Sequence, residues 1–310
     1  MYPVIIAIAV LLIFGSWQPT FLQSVSADDT LNDVLFSNLI PKDFSDNKLN
    51  TRAKPIRSEI NDPEIKALAA GVYEARSRFT LWSKNSTTVR PIASITKLMT
   101  VLVFLDHNPG WEKIVEITAD DNRLGSKAYL FLGDTLSVED LFKTALVASD
   151  NTAITALVRS TGLSEEEFVK EMNQKGETLR LGSTVFVEPT GLDSNNQSTV
   201  RDITRLALTA FEKPEIRQAL QYSRYEFQTK AEKKVIVYST NDLLGIPSSN
   251  SPKLLAGKTG HLPEAGYCFV GWFEHNGQAI VSVVLGAPEA DDRFIETQKL
   301  VKWAYNGYSW

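Results

Sequence analysis

Cysteine is almost missing from this chain. Cys268 stands alone among 310 residues, which excludes an intramolecular disulfide and any metal site built from several cysteines. There is no basic excess either: 32 Lys and Arg against 37 Asp and Glu leave a net charge of −5, which argues against a broad nucleic-acid footprint. No apolar run reaches the roughly 18 to 20 residues that a bilayer-crossing helix needs. Internal repeats and low-complexity segments are absent, and the first 27 residues contain no Lys, Arg, Asp or Glu at all. What is there is an ordinary globular composition, 43% hydrophobic, 22% charged and 10% aromatic. A chain of this length can build a large core in one or two domains without staples.

The uncharged start is the first positive signal. Eleven apolar residues run from Val4 to Phe14, and Val25-Ser26-Ala27 precedes Asp28. That run matches the apolar core of a signal peptide, with cleavage after Ala27, and is too short for a spanning helix. Residues 1–27 are therefore expected to be a signal peptide or an N-terminal anchor that exports the chain, with membrane attachment through residues 4–14 if it stays uncut. A buried strand or helix is the plainer alternative. Residues 28–61 are polar and read as a linker, leaving 62–310 as the folded body.

Within that body, Ala67 to Tyr73 and Thr80 to Trp82 read as short strands. Ile92 to Leu105 reads as a helix apolar nearly all round, hence buried inside the domain. Three helix starts carry a hydroxyl followed three residues later by an acid: Ser137 to Asp140, Ser164 to Glu167 and Thr199 to Asp202. Pro214 suits a first helical turn. Later the period changes: Val235 to Tyr238 is strand-like, and Gly266 to Phe273 and Gln278 to Leu285 flank Asn276-Gly277, a strong hairpin signal. A last helix covers Arg293 to Tyr305. The expectation is a mixed α/β (α+β) domain, its antiparallel sheet built from both chain ends beside an inserted all-helical region.

Three short strings could carry chemistry. In Ser94-Ile-Thr-Lys97 the serine and lysine share a helix face. A lysine buried in an apolar helix loses hydration, so its neutral form can act as the base that activates the serine. A capping serine and a surface lysine would give the same string. Ser149-Asp150-Asn151 lies between two predicted helices, where caps occur naturally; Ser149 could also relay a proton and Asn151 hold an amide. Lys258-Thr259-Gly260 precedes the hairpin and could bind an anionic group beside a strand edge, Gly260 leaving room for an added strand, or be an exposed turn. Asp106 and His107 fall at the far end of the buried helix and read as end-of-helix residues. Cys268 reads as a packed thiol.

Together these strings, 55 residues from Ser94 to Ser149 and 109 from Ser149 to Lys258, resemble those of the penicillin-recognising serine acyl enzymes. Arg90 to Thr100, Ala148 to Asn151, Pro189-Thr-Gly-Leu-Asp193, Lys258-Thr-Gly-His261 and Ala265 to Cys268 most resemble the low-molecular-weight D-alanyl-D-alanine carboxypeptidase group, over about residues 62 to 306. The resemblance implies a β-lactamase/transpeptidase-like fold with terminal helices flanking the sheet. It implies Ser94 as nucleophile, Lys97 as general base and Ser149 as proton shuttle. Asn151, Lys258, Thr259 and Gly260 would bind substrate, His261 would supply an oxyanion-hole N–H with Ser94, and Arg293 would bind a carboxylate, unless it pairs with Asp291 or Glu296 instead. No cofactor or metal is implied. The implied partners are peptidoglycan stem peptides ending in D-Ala-D-Ala and β-lactams as covalent inhibitors, on the periplasmic or cell-wall face.

The implied reaction is D-Ala-D-Ala carboxypeptidation. A Glu-x-x-Leu-Asn water-activating loop of β-lactamases is not matched, because Glu188 is followed by Pro189-Thr-Gly191. Larger carboxypeptidases of the group carry a β-rich domain and a C-terminal membrane helix, whereas this chain reaches only Trp310. That leaves a DD-endopeptidase, which cuts cross-links, as the alternative; a non-catalytic penicillin-binding wall or sensor domain is the third.

Overall fold

The computed structural model describes residues 60–310 apart from 124, 126 and 246–250. The expected signal or anchor, and the linker up to residue 59, lie outside the described residues. Among the described residues no helix is long and apolar enough to cross a membrane.

The sheet draws its strands from both ends of the body. β1 (Ala69–Glu74) and β2 (Thr80–Lys84) come first, and β9 (Lys253–Leu262), β10 (Gly266–His275) and β11 (Gln278–Ala287) come last. Their order is β2-β1-β11-β10-β9, every neighbouring pair antiparallel. β9 is thus an edge strand. The β10–β11 turn is made by Asn276 and Gly277, both at positive φ (52° and 78°), as a type I′ turn demands. β11 is central and buried on both faces, which is why it is apolar almost without alternation. Its Ile280 and Val284 face one cluster, with Phe294, Leu300 and Trp303 of the last helix, α7 (Asp292–Gly307). Val281, Val283 and Leu285 face the other, with Val200, Ile203, Ala207 and Phe211 of α5 (Val200–Glu212).

The insert is built around α1 (Lys97–Asp106), whose first eight residues are all buried. Around it lie α2 (Val138–Val147), α3 (Asn151–Ser160), α4 (Glu165–Thr178) and the short α6 (Pro214–Ala219). All three expected caps form. Ser137 accepts from the Asp140 amide, Ser164 from that of Glu167 and Thr199 from that of Asp202. Each such cap is worth about 1 kcal/mol.

The insert is not purely helical, which corrects one expectation. Three short two-stranded pairs interrupt it: β3 (Arg90–Pro91) with β6 (Gln197–Ser198), β4 (Ile114–Glu116) with β5 (Thr135–Ser137), and β7 (Arg224–Gln228) with β8 (Lys234–Tyr238). β8 is legible in the sequence as the strand from Val235 to Tyr238; the others are only two or three residues long or, like β7, alternate polar residues with Tyr225 and Phe227. Of the terminal helices expected to flank the sheet, α7 is present, and the expectation for the N-terminal side falls on residues outside those described.

Candidate active site

Ser94 sits in a 3-10 turn, Ala93–Thr96, that runs directly into α1. Ala93, just before it, adopts φ +48°, a left-handed conformation that costs a residue with a side chain about 1–2 kcal/mol. That turn leaves Ser94 half-exposed while Ala93, Ile95, Thr96 and Lys97 are buried. A half-exposed hydroxyl beside a buried amine is the result.

Lys97 is fully buried, and its Nζ is in contact with three oxygens: Ser94 Oγ at 2.9 Å, Asn151 Oδ1 at 2.7 Å and the Thr190 carbonyl at 2.6 Å. Burial pushes this amine down to about 7, against the opposing pull of Glu188 and Asp150. At neutral pH a large fraction is therefore neutral and able to take a proton from Ser94.

Two loops fix that amine. The first is Glu188 to Asp193. The Glu188 carboxylate accepts from the amides of Thr190 (2.6 Å) and Gly191 (2.5 Å), from the Thr190 hydroxyl and from Asn196 Nδ2. Tied down in this way, the loop directs the Thr190 carbonyl at Lys97 and the Pro189 carbonyl at Thr100 Oγ1 (2.6 Å), one helical turn further on. Gly191, at φ +85°, lies so close to the nucleophile turn that a Cβ there would stand 2.2 Å from the Ala93 carbonyl oxygen. Glu188 is thus spent on loop architecture, not aimed at a water.

The second loop is Ser149-Asp150-Asn151 between α2 and α3. Asp150 caps α3, its Oδ1 accepting from the Ala153 amide at 2.7 Å. Ser149 takes φ +55°, turning its Oγ to Lys258 Nζ at 2.7 Å. Lys258 is only 1% exposed; burial, then Lys97 and Arg293, hold its amine well below the ordinary lysine range. Two amines thus share one buried pocket with Ser149 and Ser94 hydroxyls as their partners.

The third side is β9. Thr259 Oγ1 lies 2.5 Å from Thr240 Oγ1. Gly260 presses on the nucleophile turn: a Cβ there would meet the Ile92 carbonyl oxygen at 2.9 Å and the Ser94 nitrogen at 3.2 Å. The glycine is required by this chain's own turn, a different reason from the room for substrate that its sequence context suggests. His261 is exposed and stacks on Tyr267, ring centroids 4.1 Å apart. Arg293 packs over the same Tyr267 ring at 5.4 Å and over Phe294 at 4.7 Å. It makes neither of the ion pairs weighed for it: Glu296 accepts from the amides of Lys66 and Ala67 instead, and Arg293 Nε is buried with no hydrogen-bond partner among the described residues.

The structure brings Ser94, Lys97 and Asn151 into one hydrogen-bonded cluster and Ser149 and Lys258 into another, joined at the Ser149–Asn151 loop; Gly260 presses on the Ser94 turn, Thr259 meets Thr240, and His261 and Arg293 meet on the Tyr267 ring. Sequence reasoning missed Glu188 and the Thr190 carbonyl as supports of Lys97, and Thr240 beside Thr259. Asn151 was expected to hold substrate and also holds the base. Asp106 and His107 pair with Lys175 and Glu171 of α4, away from Ser94. Cys268 is packed in β10 opposite Gly260.

Comparison with known proteins follows the same lines. A family model described as D-alanyl-D-alanine carboxypeptidase matches residues 56–289. A D-alanyl-D-alanine endopeptidase of Pseudomonas aeruginosa is 32% identical over 252 residues, 79% of each chain. A D-alanyl-D-alanine carboxypeptidase of Bacillus subtilis is 28% identical over 248 residues, covering 78% of this chain but 63% of its own. Penicillin-binding protein D2 from Listeria monocytogenes, solved with cefotaxime bound, superimposes with a TM-score of 0.67 at 33% identity, over 79% of this chain and all of that one. The chain belongs to the D-alanyl-D-alanine carboxypeptidase family of penicillin-recognising serine peptidases.

Proposed function

We propose that the protein is a DD-endopeptidase that cleaves D-alanyl cross-links between peptidoglycan stem peptides. The observation that carries this reading is likeness: the endopeptidase relative is 32% identical to this chain, the carboxypeptidase relative 28%. Neutral Lys97 takes the proton of Ser94 Oγ as that oxygen attacks the D-alanyl carbonyl. The amides of Ser94 and His261 stabilise the oxyanion where it develops. Ser149, linked to Lys258, passes a proton to the departing amine, and the C–N bond breaks. Water then adds to the Ser94 ester and releases a D-alanyl carboxylate. Lys258, Thr259 and Arg293 bind the carboxylate beside the departing amine, with Asn151 aligning the acyl half.

β-Lactams acylate Ser94 by the same attack, their opened amide staying tethered. The uncharged residues 1–27 support export, so that the enzyme meets its substrate on the wall side of the membrane. Release of terminal D-alanine is the second reading, favoured by the unpartnered Arg293 Nε and buried Lys258, which suit any carboxylate next to the scissile bond. Incubation with pentapeptide monomers and with cross-linked muropeptide dimers, products separated by chromatography, decides between them. Conversion of dimer to monomers is expected; shortened pentapeptides with intact dimers would overturn the endopeptidase reading.

A further inference from the structure

Among the groups assigned to the leaving half, Ser149 protonates it and Thr259 lies beside its carboxylate. Each neighbours a tyrosine, half-buried Tyr129 in one case and exposed Tyr238 in the other. On the Ser149 side, the backbone of Tyr129 hydrogen-bonds to Asp150, next to Ser149 in the chain. On the Thr259 side, Thr240 touches Thr259 hydroxyl to hydroxyl, and Tyr238 lies two residues before Thr240 at the end of β8. Tyr238 is 52% exposed. The exposed Lys127 ammonium joins the two, standing 5.1 Å from the Tyr129 ring centroid and 5.9 Å from that of Tyr238. No carboxylate among the described residues pairs with it.

An ammonium held over two ring faces, without a counter-ion, is an arrangement that the fold itself does not need. Surface lysines ordinarily keep their charge in water, and a stack of this kind contributes little to stability when exposed. Its position is specific: through Tyr129 it neighbours Asp150, next to Ser149, and through Tyr238 it lies near Thr240, which touches Thr259. The same loop carries two further exposed apolar residues, Phe131 and Leu132, 56% and 73% accessible.

We propose that Lys127, Tyr129 and Tyr238 form the subsite for the departing stem peptide of a cross-linked dimer, and so discriminate a cross-link from a terminal D-alanine. Lys127 meets a carboxylate of that second stem, and the tyrosine faces cover its peptide planes and methyl groups. Free D-alanine is too short to reach beyond Thr259 to these rings. The inference rests on the endopeptidase reading and deepens it.

The test compares Lys127→Ala, Tyr238→Ala and Tyr238→Phe with the unaltered protein on two reactions. One is cleavage of a cross-linked muropeptide dimer; the other is acylation by benzylpenicillin, which carries no second stem. The expected result is a roughly 5- to 20-fold fall in kcat/KM on the dimer for each alanine variant, carried mostly by KM. Acylation by benzylpenicillin stays within about twofold, and Tyr238→Phe retains dimer cleavage because the ring face is kept. The Lys127 contribution shrinks as salt is raised. Dimer cleavage that is unaffected, or that falls in parallel with acylation, would overturn the subsite and leave the endopeptidase reading standing. An unaltered protein that leaves dimers intact would instead remove the reading on which the subsite depends.

Discussion

The titration of Lys97 decides whether Ser94 has a working base. Its amine is pushed down to about 7 by burial, with Glu188 and then Asp150 pulling the other way. Only the neutral amine can accept the serine proton, so acylation must follow its deprotonated fraction. With a value of about 7, that fraction rises about tenfold between pH 6 and pH 8 and by about one tenth beyond. An ordinary exposed lysine would give about a hundredfold rise over the same interval and no plateau before about pH 10. The His261 imidazole is lowered from its ordinary value by desolvation and then by Arg293, toward the acid side of that rise. The assay is the second-order acylation rate of a fluorescent penicillin from pH 5 to 10. Asp150→Asn sharpens the test: asparagine caps a helix as well as aspartate does, so α3 keeps its start while one negative charge near Lys97 disappears. The acid limb should then move to lower pH, by up to about one unit. A rate still climbing tenfold per unit at pH 9, or an Asp150→Asn limb that stays put or moves upward, would refute the assignment of Lys97 as base.

Two other perturbations follow from the packing. Gly191→Ala places a methyl 2.2 Å from the Ala93 carbonyl oxygen at a φ of +85°, so backbone must shift. The expected cost is about 2–4 kcal/mol in denaturant unfolding, with Ser94 acylation down at least about 100-fold from the displaced turn; a variant of unchanged stability and rate would contradict the close approach. Cys268 is fully buried and burial raises its thiol to about 11, so a disulfide reagent should leave the native protein unmodified and label one thiol after denaturation. Rapid labelling of native protein would show β10 to be open.

Much of this arrangement was legible from the chain alone. The caps at Ser137, Ser164 and Thr199 were readable because capping is decided within four residues. The Asn276-Gly277 hairpin and the all-round apolar α1 were readable for the same reason, as strong local signals. Seven of the nine candidate residues stand in the three strings; His261 and Arg293 came in through the resemblance that those strings carry. What could not be read is non-local or carried by backbone. The grip of the Thr190 carbonyl on Lys97 uses an atom every residue possesses, and the service of Glu188 depends on how its own loop closes. The real neighbour of Gly260 is a turn more than 160 positions earlier in the chain. The ordering of reactions also shifted: motifs pointed first to terminal D-alanine release, while the more similar relative favours cross-link cleavage. The cleft motifs serve the acylation step that the two reactions share, so they do not by themselves separate one from the other.

Of the contacts that arm the site, only that between Ser94 and Lys97 is local. Asn151, Thr190 and the Ser149–Lys258 pair reach across 54, 93 and 109 positions. They also join the insert to the edge of a sheet whose strands come from opposite ends of the body. Reactivity is therefore a property of the completed tertiary structure, and a newly made, unfolded chain holds only a serine of ordinary inertness. Covalent capture by a penicillin would then serve as a census of native molecules, blind to every partly folded one.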